Sequence, residues 1–274
     1  MKSCRICSAP VRLYLTKHGY EIFRCTACGF GQINVTAHDI EDFYDQSYFQ
    51  GEKAHFQQGL ETEPHPALPF WLEHNLDRVC PSNGVQVLEI GPGLGGPLAG
   101  YMRKTHPEMD YAAIEISGYA AENLRRRGFR VFEGRVTHPA TIESCFERYD
   151  LIFGTEVIEH DPEPHPFAQA VYKMLKPGGC AAFTTGNIDG WMARWSGQKW
   201  YYLDPPAHVS YYTPSAVKIL FGAEGFSTIQ VRRYGLSYIN LKLKTHLPGI
   251  LLATHLSNIS TGMSILARRG QQEN

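Results

Sequence analysis

Val87-Leu88-Glu89-Ile90-Gly91-Pro92-Gly93-Leu94-Gly95-Gly96 reads as a buried strand running into a glycine-rich turn. Outward from it, Tyr111-Ala112-Ala113-Ile114-Glu115 makes a second strand that ends on an acid, one βα unit later. Glycines at 91, 93 and 95 let the backbone pass where a side chain would collide with a bound nucleoside. Glu115 stands where a carboxylate accepts both hydroxyl hydrogens of a ribose. The pattern predicts an adenosine-ligand site at the carboxyl ends of parallel strands.

Gly91, Gly93 and Gly96 also satisfy the dinucleotide pattern G-x-G-x-x-G, so the glycines do not choose the ligand. Glu89 does more: a carboxylate inside the strand, two residues before the first glycine, suits the ammonium of S-adenosylmethionine better than a pyrophosphate. Tyr149-Asp150-Leu151-Ile152-Phe153-Gly154 reads as a fourth strand, followed by Thr155-Glu156-Val157-Ile158-Glu159-His160. Met174-Leu175-Lys176-Pro177-Gly178-Gly179 then ends a helix and opens a fifth strand.

These motifs together resemble the class I S-adenosylmethionine-dependent methyltransferases, over residues 65–270. Within that class the likeness is to the broad group that includes ubiquinone-pathway O-methyltransferases and many sugar, lipid and natural-product methyltransferases. The resemblance implies an α/β fold with a Rossmann-like, doubly wound seven-stranded sheet. It also implies that Glu89 meets the ligand's ammonium, and that Gly91, Gly93 and Gly95 line its methionine and ribose. Glu115 would hold the ribose, and Ile116, Gly134 and Arg135 would border the adenine. Many relatives carry an Asp just after the third strand; Gly134-Arg135 stands here instead, which leaves the contact to the adenine amino group open.

Ahead of this domain, Cys4-x2-Cys7 and Cys25-x2-Cys28 have the spacing of a tetrahedral zinc site. Val11-Arg12-Leu13-Tyr14-Leu15 and Tyr20-Glu21-Ile22-Phe23-Arg24 read as two short strands joined around Lys17-His18-Gly19, giving a zinc ribbon. Four thiolates fill the coordination sphere, so the expected role is structural, and metal binding supplies what so small a core lacks. The redox alternative is weaker, because a dithiol switch does not need two matched pairs. Cys80, Cys145 and Cys180 read as small core residues.

The expected organisation is a ribbon over 1–36, an aromatic linker or lid over 37–64, and a methyltransferase domain over 65–274. The linker contains Phe43-Tyr44-Asp45-Gln46-Ser47-Tyr48-Phe49. Helices are expected over 66–76, 94–105, 117–127, 139–146 and 163–175, alternating with strands over 85–90, 111–115, 129–133, 149–153 and 180–185. Residues 226–232 and 264–268 fit a closing strand pair, antiparallel in the resembled family. Two insertions stand out. Residues 187–212 are rich in aromatics, and residues 234–260 carry Leu247-Pro248-Gly249-Ile250-Leu251-Leu252, which reads as a capping helix, a dimer surface or a wall for a lipid-linked acceptor.

At 274 residues, 43% hydrophobic and 19% charged, the chain reads as an ordinary soluble globular protein. A net charge of −1 gives no footprint for bulk nucleic-acid binding. Arg125-Arg126-Arg127 reads as the solvated end of a helix. No run approaches the ~20 apolar residues needed to span a bilayer. Seven cysteines without an export signal fit a reducing cytoplasm.

Methyl transfer from a sulfonium releases a neutral thioether, so the chemistry left to the protein is alignment and deprotonation of the acceptor. Glu156, Glu159 and His160 are spaced to share one face if their segment is helical. His160 is the first candidate base; His208, in the aromatic insertion, is the second, and Glu156 joins the candidate catalytic set. In the ubiquinone-pathway relatives the matching E-x-x-E-H residues are associated with magnesium, while other relatives use the same letters without metal. The expected acceptor is a small or carrier-linked molecule, with O-methylation of a sugar, phenol or lipid intermediate first. C- or N-methylation of a nucleotide-sugar or natural product is the alternative, as is an RNA modifier that grips its substrate with the ribbon. A homodimer is compatible with the sequence.

Overall fold

The structure, a computed structural model, describes residues 3–44, 84–94, 107, 109–235 and 260–271. The helices expected over 66–76 and 94–105, Gly95, Cys80, residues 45–49 and the Leu247–Leu252 run lie outside the described residues.

Val, Leu and Ile dominate the strand that begins the glycine motif, and Gln86–Ile90 (β4) lies at the centre of the sheet. It pairs in parallel with Asp110–Glu115 (β5) on one side and Tyr149–Thr155 (β7) on the other. Arg130–Glu133 (β6) extends the sheet past β5, and Leu175–Gly186 (β8) extends it past β7. Beyond β8 lie Ser260–Arg269 (β11) and Phe226–Gly235 (β10), both joined antiparallel. The order β10-β11-β8-β7-β4-β5-β6 is the expected seven-stranded, doubly wound sheet. The strand expected over 180–185 begins earlier, at Leu175, and takes in Lys176-Pro177-Gly178-Gly179. Lys176 there donates to Asp150 on β7 at 2.7 Å, anchoring the added residues.

Strand alternation sorts the core. Leu88, Ile90, Ala112, Ile114, Ile152 and Phe183 point to one face, with Phe167 and Val171 of a helix over Pro164–Met174 and Phe221 of a helix over Pro214–Ala223. Val87, Leu151, Phe153, Cys180 and Ala182 point to the other. Cys145 and Cys180 are fully buried in these layers, as core residues should be. Further helices run over Ala37–Phe43 (α1), Gly118–Arg126 (α2), Pro139–Cys145 (α3) and Trp191–Ser196, which becomes α5 once Pro164–Met174 is α4 and Pro214–Ala223 is α6.

Val11–Lys17 (β1) and Tyr20–Cys25 (β2) form the expected antiparallel hairpin. Gly31–Gln32 (β3) pairs with β2. The sheet then continues onto Ser210–Tyr211 (β9), a strand contributed by the aromatic insertion. Phe30 is fully buried against Tyr212, with ring centroids 5.1 Å apart. Thr213 caps α6 by accepting from the Ala216 amide, and its hydroxyl donates to the Cys28 carbonyl at 2.7 Å. A cap of this kind contributes about 1 kcal/mol, and here one side chain serves the helix and the cysteine module together.

Candidate active site

The candidate cofactor end grows out of β4 and β5. Gly91 has φ +68°, and a Cβ placed on it would lie 2.4 Å from Val157 Cγ2, so both the backbone angle and the space require glycine. The Gly91 amide donates to the Ile114 carbonyl at 2.9 Å, which carries the turn across the end of β5. Glu115, 3% exposed, accepts from the Gly93 amide through one oxygen and from the Ser117 amide through the other, both at 2.9 Å. Burial pushes its pKa up, against the pull of those amides. Beside it, Ser117 Oγ is buried and has no partner among the described residues. An orphaned hydroxyl next to a carboxylate at the mouth of a glycine turn is the arrangement that a ribose with its own hydroxyls completes.

Glu89 lies on the opposite face of β4 from Leu88 and Ile90, 3% exposed, and takes a hydrogen bond from the Tyr111 hydroxyl. Burial pushes it up to about 8, opposed by that bond. A cation brought to Glu89 would relieve this cost. Ile116 is half-buried against the aromatic insertion, and the Gly134 amide donates to the Glu115 carbonyl at 2.8 Å. Arg135 directs its guanidinium to Glu163 at 2.8 Å and to Asp161 at 3.4 Å, so its charge is satisfied by the segment that follows β7. Arg127 differs from the sequence expectation. Its neighbours Arg125 and Arg126 pair with Glu133 and Glu122 at the surface, but Arg127 turns inward and donates to the Leu94 carbonyl at 2.7 Å, bracing the glycine turn.

The acceptor end begins where β7 stops. The expected helical face for Glu156, Glu159 and His160 is not formed. Glu156 has φ +52°, and the three residues Ile158–His160 make a single 3₁₀ turn. The reason is local: the Glu156 amide is drawn to the Thr184 carbonyl on β8 and to the Thr184 hydroxyl, both at 3.2 Å, which twists the chain off the strand before a helix can start. The turn still gathers the three side chains. Glu159 is fully buried and accepts from the Tyr202 hydroxyl and, at 2.9 Å, from the Thr185 hydroxyl. Burial raises Glu156 to about 8 and Glu159 to about 7, each opposed by hydroxyl donors.

His160 and His208 meet edge to face, with ring centroids 4.8 Å apart. His208 Nδ1 lies 2.7 Å from the Tyr202 carbonyl and His160 Nδ1 lies 2.7 Å from the Ala207 carbonyl. Carbonyls only accept, so each Nδ1 carries a proton, and a neutral ring then presents its lone pair at Nε2. Burial holds the His160 pKa below its ordinary value, so the ring is neutral near pH 7. The insertion is placed for this by a close approach: a Cβ on Gly186 would lie 2.3 Å from the Tyr202 ring, so only glycine at the end of β8 admits that tyrosine.

Sequence reasoning reached the two histidines and Glu156. It missed Tyr202, Thr185 and Tyr44; the aromatic runs around Tyr44 and Tyr202 were the available signal. Cys4, Cys7, Cys25 and Cys28 come together as expected, with sulfur separations of 3.4, 3.5 and 3.7 Å among the close pairs and all four sulfurs within 4.8 Å of one another. The Ile6 amide points at Cys4 Sγ, and the Ala27 and Cys28 amides point at Cys25 Sγ, each at 3.4 Å, as in metal-binding knuckles.

This fold and these residues define a class I S-adenosylmethionine-dependent methyltransferase. The chain belongs to the methyltransferase domain family, whose profile matches residues 65–231. It is 28% identical over 127 residues to a ubiquinone biosynthesis O-methyltransferase of Pseudomonas putida, an alignment covering 46% of this chain and 53% of that protein. A dimethylglycine N-methyltransferase of Parasynechococcus marenigrum is 29% identical over 172 residues, covering 58% of this chain and 59% of the relative. The chain thus spans about half the length of the curated relatives it matches. A crystal structure of a SAM-dependent methyltransferase from Archaeoglobus fulgidus superposes with a TM-score of 0.55 over 80% of this chain and all of that one, at 16% identity. No helix among the described residues is long and apolar enough to cross a membrane.

Proposed function

We propose that this protein transfers the methyl group of S-adenosylmethionine to an oxygen of a small or carrier-linked acceptor, with His160 as the general base. The observation that carries the reading is His160 held at the carboxyl end of the sheet beside His208 and Glu159, with its Nδ1 on the Ala207 carbonyl. Bound S-adenosylmethionine supplies an electrophilic methyl carbon on a sulfonium. Glu89, Glu115 and the Gly91–Gly93 turn would hold and orient it. His160 Nε2 takes the hydroxyl proton as the acceptor oxygen forms its bond to the methyl carbon, and the electron pair of the breaking carbon–sulfur bond returns to sulfur. Positioning supplies the larger part of such a rate gain, of order 7–11 kcal/mol in ideal cases.

Two further assignments belong to this reading. The four thiolates hold one zinc ion, whose coordination they saturate, so that ion serves structure. Glu159, His160 and His208 also offer donors within 4.8 Å of one another. Two imidazoles and a carboxylate already held by two hydroxyls are a poor match for magnesium, which prefers an octahedron of oxygens. The proposed chemistry therefore runs through the base. An amine acceptor has one observation in its favour, the buried pair Glu156 and Glu159, which an ammonium would neutralise.

The test is methyl-labelled S-adenosylmethionine offered with panels of phenols, sugars, lipid-linked alcohols and amines. Transfer to a hydroxyl compound, lost in His160→Ala with cofactor affinity retained, is the expected result. Transfer to amines alone, at full rate in His160→Ala, would overturn the oxygen-and-base reading.

A further inference from the structure

His160 has a second neighbour at Nδ1 that comes from the other end of the chain. Tyr44, the residue that ends α1, places its hydroxyl 2.6 Å from His160 Nδ1, with the two rings edge to face at 90° and 5.6 Å between centroids. The approach is built in several steps. β3 sets the direction of the chain, and Thr36 then caps α1 in a reciprocal box with Asp39, the Thr36 amide donating to its carboxylate at 2.7 Å. Ile40, 4% exposed, buries α1 in the cluster that holds Trp200 and Tyr202, and Tyr44 and Ile116 pack against that same cluster. A side chain launched from the helix that follows the cysteine module is thereby fixed on the candidate base, in the same cluster as the residue expected at the adenine.

We propose that Tyr44 is a positioning residue of the acceptor site, sharing the Nδ1 proton of His160 with the Ala207 carbonyl and thereby setting the basicity of Nε2. The inference rests on the reading of His160 as base. Its physical content is direct. The Ala207 carbonyl fixes Nδ1 as the donor, so the tyrosine oxygen at 2.6 Å is a second acceptor for the same N–H. Two acceptors on one N–H stabilise the imidazolium more than the neutral ring, as the orienting carboxylate does in a catalytic triad. The other groups facing His160 are Glu156 and Glu159 on its own segment, with His208 and Asp204 from the insertion. Burial by this shell depresses the histidine, and the Tyr44 hydroxyl opposes that depression.

The test is the titration of His160, followed by NMR of the metal-loaded protein carrying ¹⁵N/¹³C-labelled histidine, with His160→Gln assigning the signal. Tyr44→Phe keeps the ring and removes the oxygen. It is expected to lower the His160 pKa by about one unit, a tenfold change, and to move the acid limb of the turnover profile to lower pH. Tyr44→Ala separates this from simple shielding, because opening the ring to water raises a pKa that burial had lowered. A Tyr44→Phe titration that matches the parent or moves upward overturns the proposal. So does a neutral wild-type ring found protonated at Nε2, a result that needs no variant to fold. Full turnover in His160→Ala would instead sink the base reading, while leaving the titration to judge Tyr44 separately.

Discussion

The two ends of the site are made in opposite ways. The proposed cofactor end is nearly contained in one βαβ unit: the Gly93 and Ser117 amides hold Glu115, the Gly91 amide holds the Ile114 carbonyl, and the Tyr111 hydroxyl holds Glu89. The proposed acceptor end draws Tyr44 from the amino-terminal helix, Glu159 and His160 from the turn after β7, Thr185 from β8, and Tyr202 and His208 from the insertion. A site made from neighbours survives when distant parts shift. A site made from distant parts depends on whatever pins them, and here the pin is the cysteine module, through β3–β9 and the Thr213–Cys28 bond.

The strongest way to break this comparison is to remove the pin. Replacing Cys4 and Cys7 by serine should reduce acceptor turnover on the order of a hundredfold or more, since misplacing catalytic groups by about 1 Å costs that much. S-adenosylhomocysteine affinity, measured by calorimetry, should hold within about twofold on the same scale. Equal losses of both would show that the two ends are one unit. Next in size, Gly91→Ala strikes one point where they touch, the contact with Val157. It should destabilise the protein by about 1–3 kcal/mol from strain and overlap, read as a lower urea midpoint. Val157→Ala in that background should restore part of the loss, and no restoration would mean the overlap is absent.

Glu115→Ala isolates the cofactor end. It removes a ribose acceptor and leaves two amides without partners, so affinity should fall at least about tenfold, or ~1.4 kcal/mol. Unchanged affinity would overturn the placement of the ribose at β5. The smallest effect is on pH. Glu89 is raised to about 8 by burial, so the ligand-free protein holds a proton there between the ordinary carboxylate value and pH 8, and its stability falls as pH rises through that window. A bound ammonium favours the carboxylate, so binding should release a fraction of a proton and tighten by a few-fold from pH 6 to pH 8. Calorimetry in two buffers of different ionisation heat measures that proton. A release that persists in Glu89→Gln would assign it elsewhere.

The same contrast explains what could be read from the sequence. The alternation of strands and helices is legible because buried parallel strands announce themselves as apolar runs, and the glycine turn and the position of Glu115 are legible because they lie within one βαβ unit. The four cysteines are legible because two identical short spacings fix a metal geometry. Tyr202 and Tyr44 are not. Each looks like any other aromatic in a run of aromatics, and only the folded chain brings their hydroxyls to Glu159 and His160. The helical face expected for Glu156 to His160 failed because local periodicity carries no information about Thr184, the β8 residue that bends the chain. Arg127 was hidden by its neighbours: three arginines in a row share one composition signal but have three different partners.

The pairing of β3 with β9 also has a consequence for the order of assembly. Thr213 meets Cys28 across 185 positions of chain. The β1–β2 hairpin closes over a short loop and forms quickly, whereas its sheet is finished only by a strand that arrives after the whole parallel sheet has been threaded. During synthesis the amino-terminal module therefore waits, incomplete, with Phe30 and Ile33 uncovered, until the insertion emerges. The first residues to take shape are among the last to be buried, and the proposed acceptor site is completed in that final closure.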